Sequence, residues 1–525
     1  MQQYALTVEK FLDHAAKWHG RTEVVCAGGN GIVDRIAYAR LGERCRRLAG
    51  GLRTFGPAPG ERIATLAWNS ADHLTVLYAV MGAGRVCHTL NPRLSTTHLV
   101  EMVNEAQDRW LVVGAGLQSL AEQLLQRCRS IEHVVLLDGE VAEASTGTAA
   151  TWSTLAQLEH RCGDAAGWAR LEEEWPAGLC YTSGTVGSPR GVLYTHRSNY
   201  LHTLRALQAD AIALTAADSV LVAVPMFHAN GWGFPFAAPA VGAKMVLPGR
   251  STDPAHLRHL IREENVTVAA AVQTVWLGLV ELLERDGGEL PSLKRILIGG
   301  SHCPQSLLAR LEARLGARVQ TSWGMTELSP LGTIEAPDVA PRTAGRASGR
   351  PVMGLDLKLV DAEGRTLPEQ RGVVGHLRVK GASVAEQYFN DEAPALDEEG
   401  YFDTGDLGFI DTEGNLAITG RAKDLIKSGG EWINPREIED IVSALPGVGL
   451  VAVVGRPDAK WGERPVLVVE PRAQQALRSE AILESLRGRI PSWWMPDCVV
   501  LVEKMPLAAT GKIDKKRLRE RVAEG

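Results

Sequence analysis

The segment Tyr181-Thr182-Ser183-Gly184-Thr185-Val186-Gly187-Ser188-Pro189-Arg190-Gly191-Val192 lies between a short apolar run and a helix-like stretch that begins near His196. Its glycines allow positive φ and a close approach of the backbone to a ligand. Successive N–H groups in such a turn, together with neighbouring hydroxyls, can enclose phosphate oxygens. A flexible Gly/Ser linker is the alternative, but the order of the hydroxyls and the basic Arg190 favour a phosphate loop. The segment is not a Walker A motif, because G-x-x-x-x-G-K-[ST] is absent.

Strand and helix patterns alternate on both sides of this loop. Apolar residues between positions 41 and 55 recur at intervals of four and three, which predicts an amphipathic helix over 38–56. Strands are predicted at 62–67, 86–90, 110–113, 218–225 and 295–298, and helices at 71–81, 95–106, 254–264 and 305–315. This spacing is typical of βαβ units and predicts an α/β fold with mostly parallel sheets.

The pattern changes in the last third of the chain. From about residue 345 the strands become shorter and alternate, which predicts a small barrel-like β part with a hairpin turn at 411–415. Beyond Arg421, a polar segment precedes residues that read as helix, strand, strand, helix, strand. We therefore predict a large N-terminal domain over 1–422 and a small α+β C-terminal domain over 423–525.

Composition describes an ordinary soluble globular protein rather than a nucleic-acid-binding or membrane protein. The 525 residues carry a net charge of −6, which argues against a nucleic-acid partner. No apolar stretch approaches the roughly 18 residues of a membrane helix, and the N-terminus lacks the apolar core of a signal peptide. The eight cysteines include no C-x-x-C pair and read as reduced thiols. These features predict a cytoplasmic location.

A second candidate motif is Thr321-Ser322-Trp323-Gly324-Met325-Thr326-Glu327, which follows a strand-like run. The aromatic ring could stack on a base, the glycine could admit backbone close to a ligand, and the carboxylate could hold Mg²⁺. Magnesium typically takes only one or two carboxylates plus substrate phosphates. A turn with a surface glutamate is the alternative, and it is favoured for the motif in isolation.

A third motif combines Tyr401-Phe402-Asp403-Thr404-Gly405-Asp406 with Arg421. A carboxylate such as Asp406 can accept hydrogen bonds from both hydroxyls of a ribose, and Arg421 could donate to the same sugar. The alternative is an ordinary Asx-type turn. Near the C-terminus, Thr510-Gly511-Lys512 contains a lysine that in isolation would be a solvated surface charge.

Taken in order, these motifs resemble the adenylate-forming superfamily of acyl-CoA synthetases, luciferases and adenylation domains. The resemblance runs from about residue 30 to residue 520. The wider sequence pattern is most similar to that of bacterial medium-chain acyl-CoA synthetases and methylmercaptopropionate-CoA ligases. Five positions depart from the family pattern. The family usually has Lys at Arg190, Thr at Val186, Pro at Gln273 and small residues at His302 and Cys303.

The resemblance implies a role for each matching residue. Lys512, Thr185, Glu327 and His228 are expected at the reaction centre, with Thr185 and Glu327 holding Mg²⁺ and His228 lining or gating the acyl site. Expected nucleotide contacts are Thr182, Ser183, Gly184, Thr185, Gly187, Arg190, Gly300, Ser301, His302, Ser322, Trp323, Gly324, Met325, Thr326, Asp406, Arg421 and Lys512. The acyl pocket is expected to be lined by His228, Asn230, Trp232, Val272, Gln273, Gly300 and Gly324. Lys423 is the expected hinge of a mobile C-terminal domain, and Ser428, Gly429 and Gly430 are expected along the pantetheine arm of coenzyme A.

The activity implied is that of an ATP- and Mg²⁺-dependent ligase, which joins a small or medium-sized carboxylic acid to coenzyme A through an acyl-AMP intermediate. Two alternatives stay open, an adenylate-forming enzyme with another acceptor such as a carrier protein, and a non-catalytic homologue that binds a nucleotide or acyl group. The identity of the acid is also open, as is the oligomeric state, with a homodimer among the choices.

Overall fold

The computed structural model describes residues 1–28, 33–141, 149–163, 167–182, 189–337, 348–472 and 477–524. The strands, in chain order, are β1 (Glu23–Ala27), β2 (Val33–Ala37), β3 (Arg62–Leu66), β4 (Val86–Leu90), β5 (Trp110–Val113), β6 (His133–Leu136), β7 (Thr151–Thr154), β8 (Pro176–Tyr181), β9 (Gly191–Thr195), β10 (Ser219–Val222), β11 (Lys244–Leu247), β12 (Val268–Ala271), β13 (Arg295–Ile298), β14 (Arg318–Gly324), β15 (Leu331–Ile334), β16 (Arg350–Pro351), β17 (Leu355–Val360), β18 (Val374–Gly381), β19 (Phe402–Ile410), β20 (Leu416–Arg421), β21 (Ile426–Ser428), β22 (Glu431–Ile433), β23 (Val448–Asp458), β24 (Gly462–Pro471) and β25 (Cys498–Leu501).

The helices alternate with these strands through most of the chain. They are α1 (Glu9–Trp18), α2 (Tyr38–Phe55), α3 (Ala71–Gly82), α4 (Thr96–Ala106), α5 (Gln118–Leu125), α6 (Leu155–Cys162), α7 (His196–Ala206), α8 (Ala229–Trp232), α9 (Phe234–Val241), α10 (Pro254–Glu263), α11 (Gln273–Asp286), α12 (Gln305–Leu315), α13 (Pro435–Ser443), α14 (Ser479–Leu486) and α15 (Lys515–Glu524). No helix among the described residues is both long enough and apolar enough to cross a lipid bilayer.

Two largely parallel sheets dominate the N-terminal part, which confirms the predicted α/β fold. One has seven strands in the order β7-β6-β5-β3-β4-β8-β9, and its only antiparallel pair among the described strands is β8 with β9. The other has nine strands in the order β16-β15-β14-β13-β12-β10-β11-β1-β2. In that sheet β10, β12, β13 and β14 are mutually parallel neighbours. Their carboxyl ends meet at one edge, where open α/β sheets usually bind ligands.

The helix boundaries follow from local chemistry. Helix α4 begins after Ser95, whose hydroxyl accepts a hydrogen bond from the His98 N–H at 3.3 Å. Helix α10 begins after Asp253, whose carboxylate caps two N–H groups, and Pro254 occupies the first helical position. The apolar face of α2 is buried, as the intervals of four and three predict.

The predicted barrel-like part is an open antiparallel sheet in the order β17-β18-β19-β20, and within the described strands it does not close. Its strands alternate between buried and exposed residues, as expected when one face is packed and the other faces water. The turn predicted at 411–415 joins β19 to β20. Through that pairing Asp406 and Arg421 stand opposite each other.

Residues 423–524 form a smaller unit with a core of its own. Strands β22, β21, β24 and β23 pair in that order, and β25 adds to β24. Helix α13 packs its buried face on this sheet through Ile438 and Val442. The order α13, β23, β24, α14, β25 matches the predicted pattern, whereas the hairpin β21–β22 was not predicted. This separate core supports the predicted domain boundary, which stays a prediction.

Candidate active site

The phosphate loop joins β8 to β9 at the edge of the seven-stranded sheet. Ser183, Gly184, Thr185 and Gly187 lie outside the described residues, so the structure describes only the two ends of the loop. Those ends are held together, because the Thr182 N–H donates to the Arg190 carbonyl at 2.9 Å and the Arg190 N–H donates to the Thr182 hydroxyl at 3.1 Å.

One corner of the candidate site is built around the buried carboxylate of Asp406 on β19, which is 3% exposed. The indole N–H of Trp323, at the end of β14, donates to Oδ2 at 2.8 Å. The guanidinium of Arg421 on β20 lies 2.9 Å from Oδ1. Burying a carboxylate is costly unless it is paired and hydrogen-bonded, and these two partners meet that condition. The predicted base and ribose residues are thus in direct contact.

A second corner holds Glu327, which lies in a 3-10 turn over Thr326–Leu328 and is 6% exposed. The Tyr388 hydroxyl donates to its Oε1 at 2.7 Å. Burial raises the pKa of Glu327, although the Tyr388 hydrogen bond opposes the shift. The Arg190 guanidinium lies 3.4 Å from the centroid of the Tyr388 ring and 3.2 Å from Asp391. The Arg190 guanidinium therefore lies over the ring of the tyrosine that donates to Glu327, at one end of the phosphate loop.

Lys512 reaches this region from the C-terminal part of the chain. Its Cε lies 3.4 Å from the position that a Cβ on Gly300 would occupy, so a glycine there leaves room for the lysine. Gly300 also has φ +78°, which a larger residue rarely adopts. The turn before the lysine is fixed by Thr274, whose hydroxyl donates to the Gly511 carbonyl at 2.9 Å.

The charge state of Lys512 is set by its surroundings. Withdrawal from water, with the positive charge of Arg421 as the second cause, lowers its pKa to about 8, while Asp406 and Glu327 oppose the shift. These four groups therefore act on one another electrostatically, as residues of a single site do.

Under the role that the resemblance implies for Lys512, this pKa predicts how the expected acyl-AMP formation depends on pH. Because the ammonium is present below the pKa and is lost above it, kcat/KM for that step should fall as the pH rises through about 8. Lys512→Arg should move this loss to a much higher pH, since a guanidinium stays charged up to about pH 12. Pyrophosphate release without coenzyme A, measured between about pH 6 and about pH 9.5, checks both statements. The same alkaline loss in both proteins would contradict them.

The expected acyl wall is partly assembled around Gly300. The Trp232 ring and Val272 lie 3.5 Å and 3.7 Å from the position of a Cβ on that residue. Burial lowers the pKa of His228 to about 3, with Lys512 as the second cause, so its imidazole is neutral. A neutral imidazole agrees with a lining role and not with proton transfer near pH 7.

The structure also gives the surroundings of three other residues that are expected to line the pocket. Asn230 is 2% exposed and faces Gly178 of β8, where its Oδ1 lies 3.2 Å from the position of a Cβ. Gln273 begins α11. A Cβ on Gly324 would lie 2.1 Å from the Pro330 carbonyl oxygen, so backbone packing is sufficient to require glycine there.

A cavity of about 190 Å³ lies between the large and small parts of the chain. Its walls combine the loop after β13, the end of β14 and helix α13, and its lining includes Ser301, His302, Cys303, Thr321, Ser322, Arg436, Asp440 and Arg489. The cavity therefore brings together two of the segments expected to contact the nucleotide. Met325, another residue that is expected to contact the nucleotide, lies immediately before the turn that carries Glu327.

The expected hinge and pantetheine residues lie in the C-terminal part. Lys423 belongs to a 3-10 turn over Ala422–Asp424, and burial is the main reason that its pKa is lowered. Gly429 and Gly430 form the turn between β21 and β22 with φ of +62° and +92°. The Ser428 hydroxyl accepts a hydrogen bond from Arg464 at 3.1 Å.

Sequence reasoning missed several contacts. Tyr388 lies in a long connection without a periodic pattern, and nothing in its surroundings predicted the hydrogen bond to Glu327. Thr274 follows Gln273 in a segment noted only as an acyl wall. Arg436 and Asp440 have a detectable signal, since they are four residues apart on a helix and so share a face.

Comparison with known proteins places these features in context. Residues 11–389 match the family model described as AMP-binding enzyme, and residues 437–512 match that of the AMP-binding enzyme C-terminal domain. The medium-chain-fatty-acid–CoA ligase of Ectopseudomonas oleovorans is 38% identical over 100% of this chain and 97% of its own length. The 3-methylmercaptopropionyl-CoA ligase of Ruegeria pomeroyi is 40% identical over 99% and 98%. ATP-bound MatB from Rhodopseudomonas palustris superimposes with a TM-score of 0.83, 25% identity and 99% coverage of both chains.

Proposed function

The chain belongs to the AMP-binding enzyme family, and from this premise we propose that it is an ATP-dependent carboxylic acid–CoA ligase. It activates an acid as acyl-AMP and transfers the acyl group to coenzyme A, giving acyl-CoA, AMP and pyrophosphate. One observation carries the proposal. Lys512, from the C-terminal part, lies against Gly300 and interacts electrostatically with Asp406 and Glu327.

The first step makes a carboxylate into an acyl donor. A carboxylate oxygen attacks the α-phosphorus of ATP, a new P–O bond forms, and the bond to the pyrophosphate oxygen breaks. Negative charge builds up around phosphorus as this happens, so a fixed cation lowers the barrier. Lys512 supplies that cation, and Asp406 with Arg421 orients the ribose.

The residues present fit a magnesium ion. Glu327 is a buried carboxylate with one oxygen bonded to Tyr388, and Mg²⁺ in nucleotide sites usually takes one or two carboxylates plus phosphate oxygens. Glu327 and Thr185 would hold the ion. When bound, it offsets phosphate charge.

The second step transfers the acyl group. The sulfur of coenzyme A attacks the acyl carbonyl carbon, AMP leaves with the bonding electrons, and the thiol proton passes to solvent. Lys512 has no task in this step. The C-terminal domain therefore rotates about Lys423 between the steps, which withdraws the lysine and brings the turn of Ser428, Gly429 and Gly430 toward the pantetheine arm.

The acid is medium-chain or of similar size. Trp232 and Val272 give the wall around Gly300 an apolar surface, and an apolar wall suits an alkyl chain. The names of the two relatives, a medium-chain-fatty-acid ligase and a 3-methylmercaptopropionyl ligase, support acids of this size. The proposal includes a cytoplasmic location, since eight free thiols suit a reducing compartment.

A screen of acids tests the proposal. Pyrophosphate release from ATP should depend on the added acid, occur without coenzyme A, and be greatest with medium-chain acids among short, medium, branched and aryl candidates. Acyl-CoA should form when free coenzyme A is added. Transfer to a carrier protein but not to coenzyme A would identify another kind of ligase. Nucleotide binding with no pyrophosphate from any acid would identify a non-catalytic homologue.

A further inference from the structure

The loop after β13 contacts the C-terminal part at two positions. Gly300 packs against the side chain of Lys512. Two residues later, His302 lies between Arg436 and Asp440 of helix α13. One short loop thus contacts both the lysine that we assign to acyl-AMP formation and α13, the first helix of the C-terminal domain.

The imidazole of His302 is fixed through both of its nitrogen atoms. Nε2 lies 2.5 Å from Oδ1 of Asp440, and Nδ1 accepts a hydrogen bond from the guanidinium of Arg436. Because Asp440 can only accept and Arg436 can only donate, the network assigns the proton of a neutral imidazole to Nε2. The same guanidinium also donates to the Ile418 carbonyl on β20. Helix α13 is therefore attached to two segments of the large part.

The cavity next to this contact has walls from both parts of the chain. Ser301 and Ser322 line it from the large part, and Arg436 and Asp440 line it from α13. The wall is complete only while α13 stays docked. A nucleotide that fills the cavity would stabilise the docked arrangement by binding it more tightly than the undocked one.

We propose that His302 is a positioning residue that couples nucleotide binding to docking of the C-terminal domain and so keeps Lys512 in place for acyl-AMP formation. The inference rests on the proposed function. His302 acts through helix α13 and does not touch the reacting atoms. Since the thioester step needs Lys512 withdrawn, loss of this contact should slow the first step and leave the second unchanged or faster.

The test compares the two half-reactions in separate assays. Octanoate and ATP report the first step through pyrophosphate release, and supplied octanoyl-AMP with coenzyme A reports the second. His302→Ala and Asp440→Ala should each slow the first step about tenfold or more, because a half-buried partner of a hydrogen bond to a charged group is removed. If the two residues form one contact, the double variant should be no slower than the slower single variant.

Two controls separate positioning from general damage. Asp440→Asn keeps an oxygen that can accept from His302 but removes the charge, so it should slow the first step less than Asp440→Ala does. Arg310→Ala removes an ion pair with Glu284 that lies wholly within the large part, so both steps should be unchanged.

A second readout does not need catalysis. Trypsin cleavage at the hinge after Arg421 or Lys423 should be faster in His302→Ala than in wild type. Saturating ATP should slow this cleavage less in the variant than in wild type. Equal losses in both half-reactions, or an unchanged first step with unchanged cleavage, would overturn the inference. Absence of pyrophosphate release in the wild type would instead refute the proposed function, and the cleavage assay would still report on the contact.

Discussion

Replacing Lys512 with alanine should reduce acyl-AMP formation by about a hundredfold to a thousandfold, the usual effect of removing a group that stabilises transition-state charge. The reason is geometric as well as electrostatic. Lys512 is inserted beside Gly300, and we assign no other lysine or arginine of the C-terminal part to the α-phosphate. Thioester formation from supplied acyl-AMP should stay close to the wild-type rate, because that step proceeds without this ammonium.

The two half-reactions are measured separately, by pyrophosphate release without coenzyme A and by thioester formation from acyl-AMP. Lys516→Ala is the matched control, since Lys516 is an exposed lysine on the final helix. It should leave both rates unchanged. Comparable losses of both half-reactions in Lys512→Ala would contradict the role assigned to Lys512.

Asp406→Ala should lower kcat/KM for ATP by about tenfold to a hundredfold, mainly through a higher KM. The reason is that removal of a buried charged acceptor leaves its partners unpaired. Those partners are the Trp323 indole N–H and the Arg421 guanidinium. Asp403→Asn is the matched control, because Asp403 is an exposed residue of the same strand.

Initial rates at varied ATP and a saturating acid give both constants, and a thermal unfolding midpoint for each variant reports any loss of stability. An unchanged KM for ATP in Asp406→Ala would remove this carboxylate from the ribose site. A KM raised equally by Asp403→Asn would assign the effect to the strand and not to the carboxylate.

Elements with a strong local pattern could be predicted from sequence. Helix α2 and strand β4 lie within a residue of their predicted bounds, because the spacing of apolar residues alone decides which face is buried. The motifs around Trp323, Asp406 and Lys512 could be recognised because their order along the chain matches a known family, whereas each motif alone also fits an ordinary turn or surface charge.

Features that depend on distant pairings could not be predicted. Strand β4 lies next to β8, although about ninety residues separate them in the sequence, and no local pattern encodes that order. The contact between His302 and helix α13 is of the same kind, since its partners lie 134 and 138 residues away. The hydrogen bond between Tyr388 and Glu327 could not be predicted for the same reason, since 61 residues separate its partners.

The arrangement around Asp406 has a thermodynamic consequence. Its two oxygens already have one protein donor each, and a carboxylate offers about four acceptor positions. Sugar hydroxyls would therefore meet an acceptor that was oriented during folding, and little of their interaction free energy would be lost to rearrangement on association. A rigid acceptor would also discriminate between ribonucleotides and 2′-deoxynucleotides. A 2′-deoxynucleotide would leave one acceptor position unfilled, and the carboxylate could not turn to compensate.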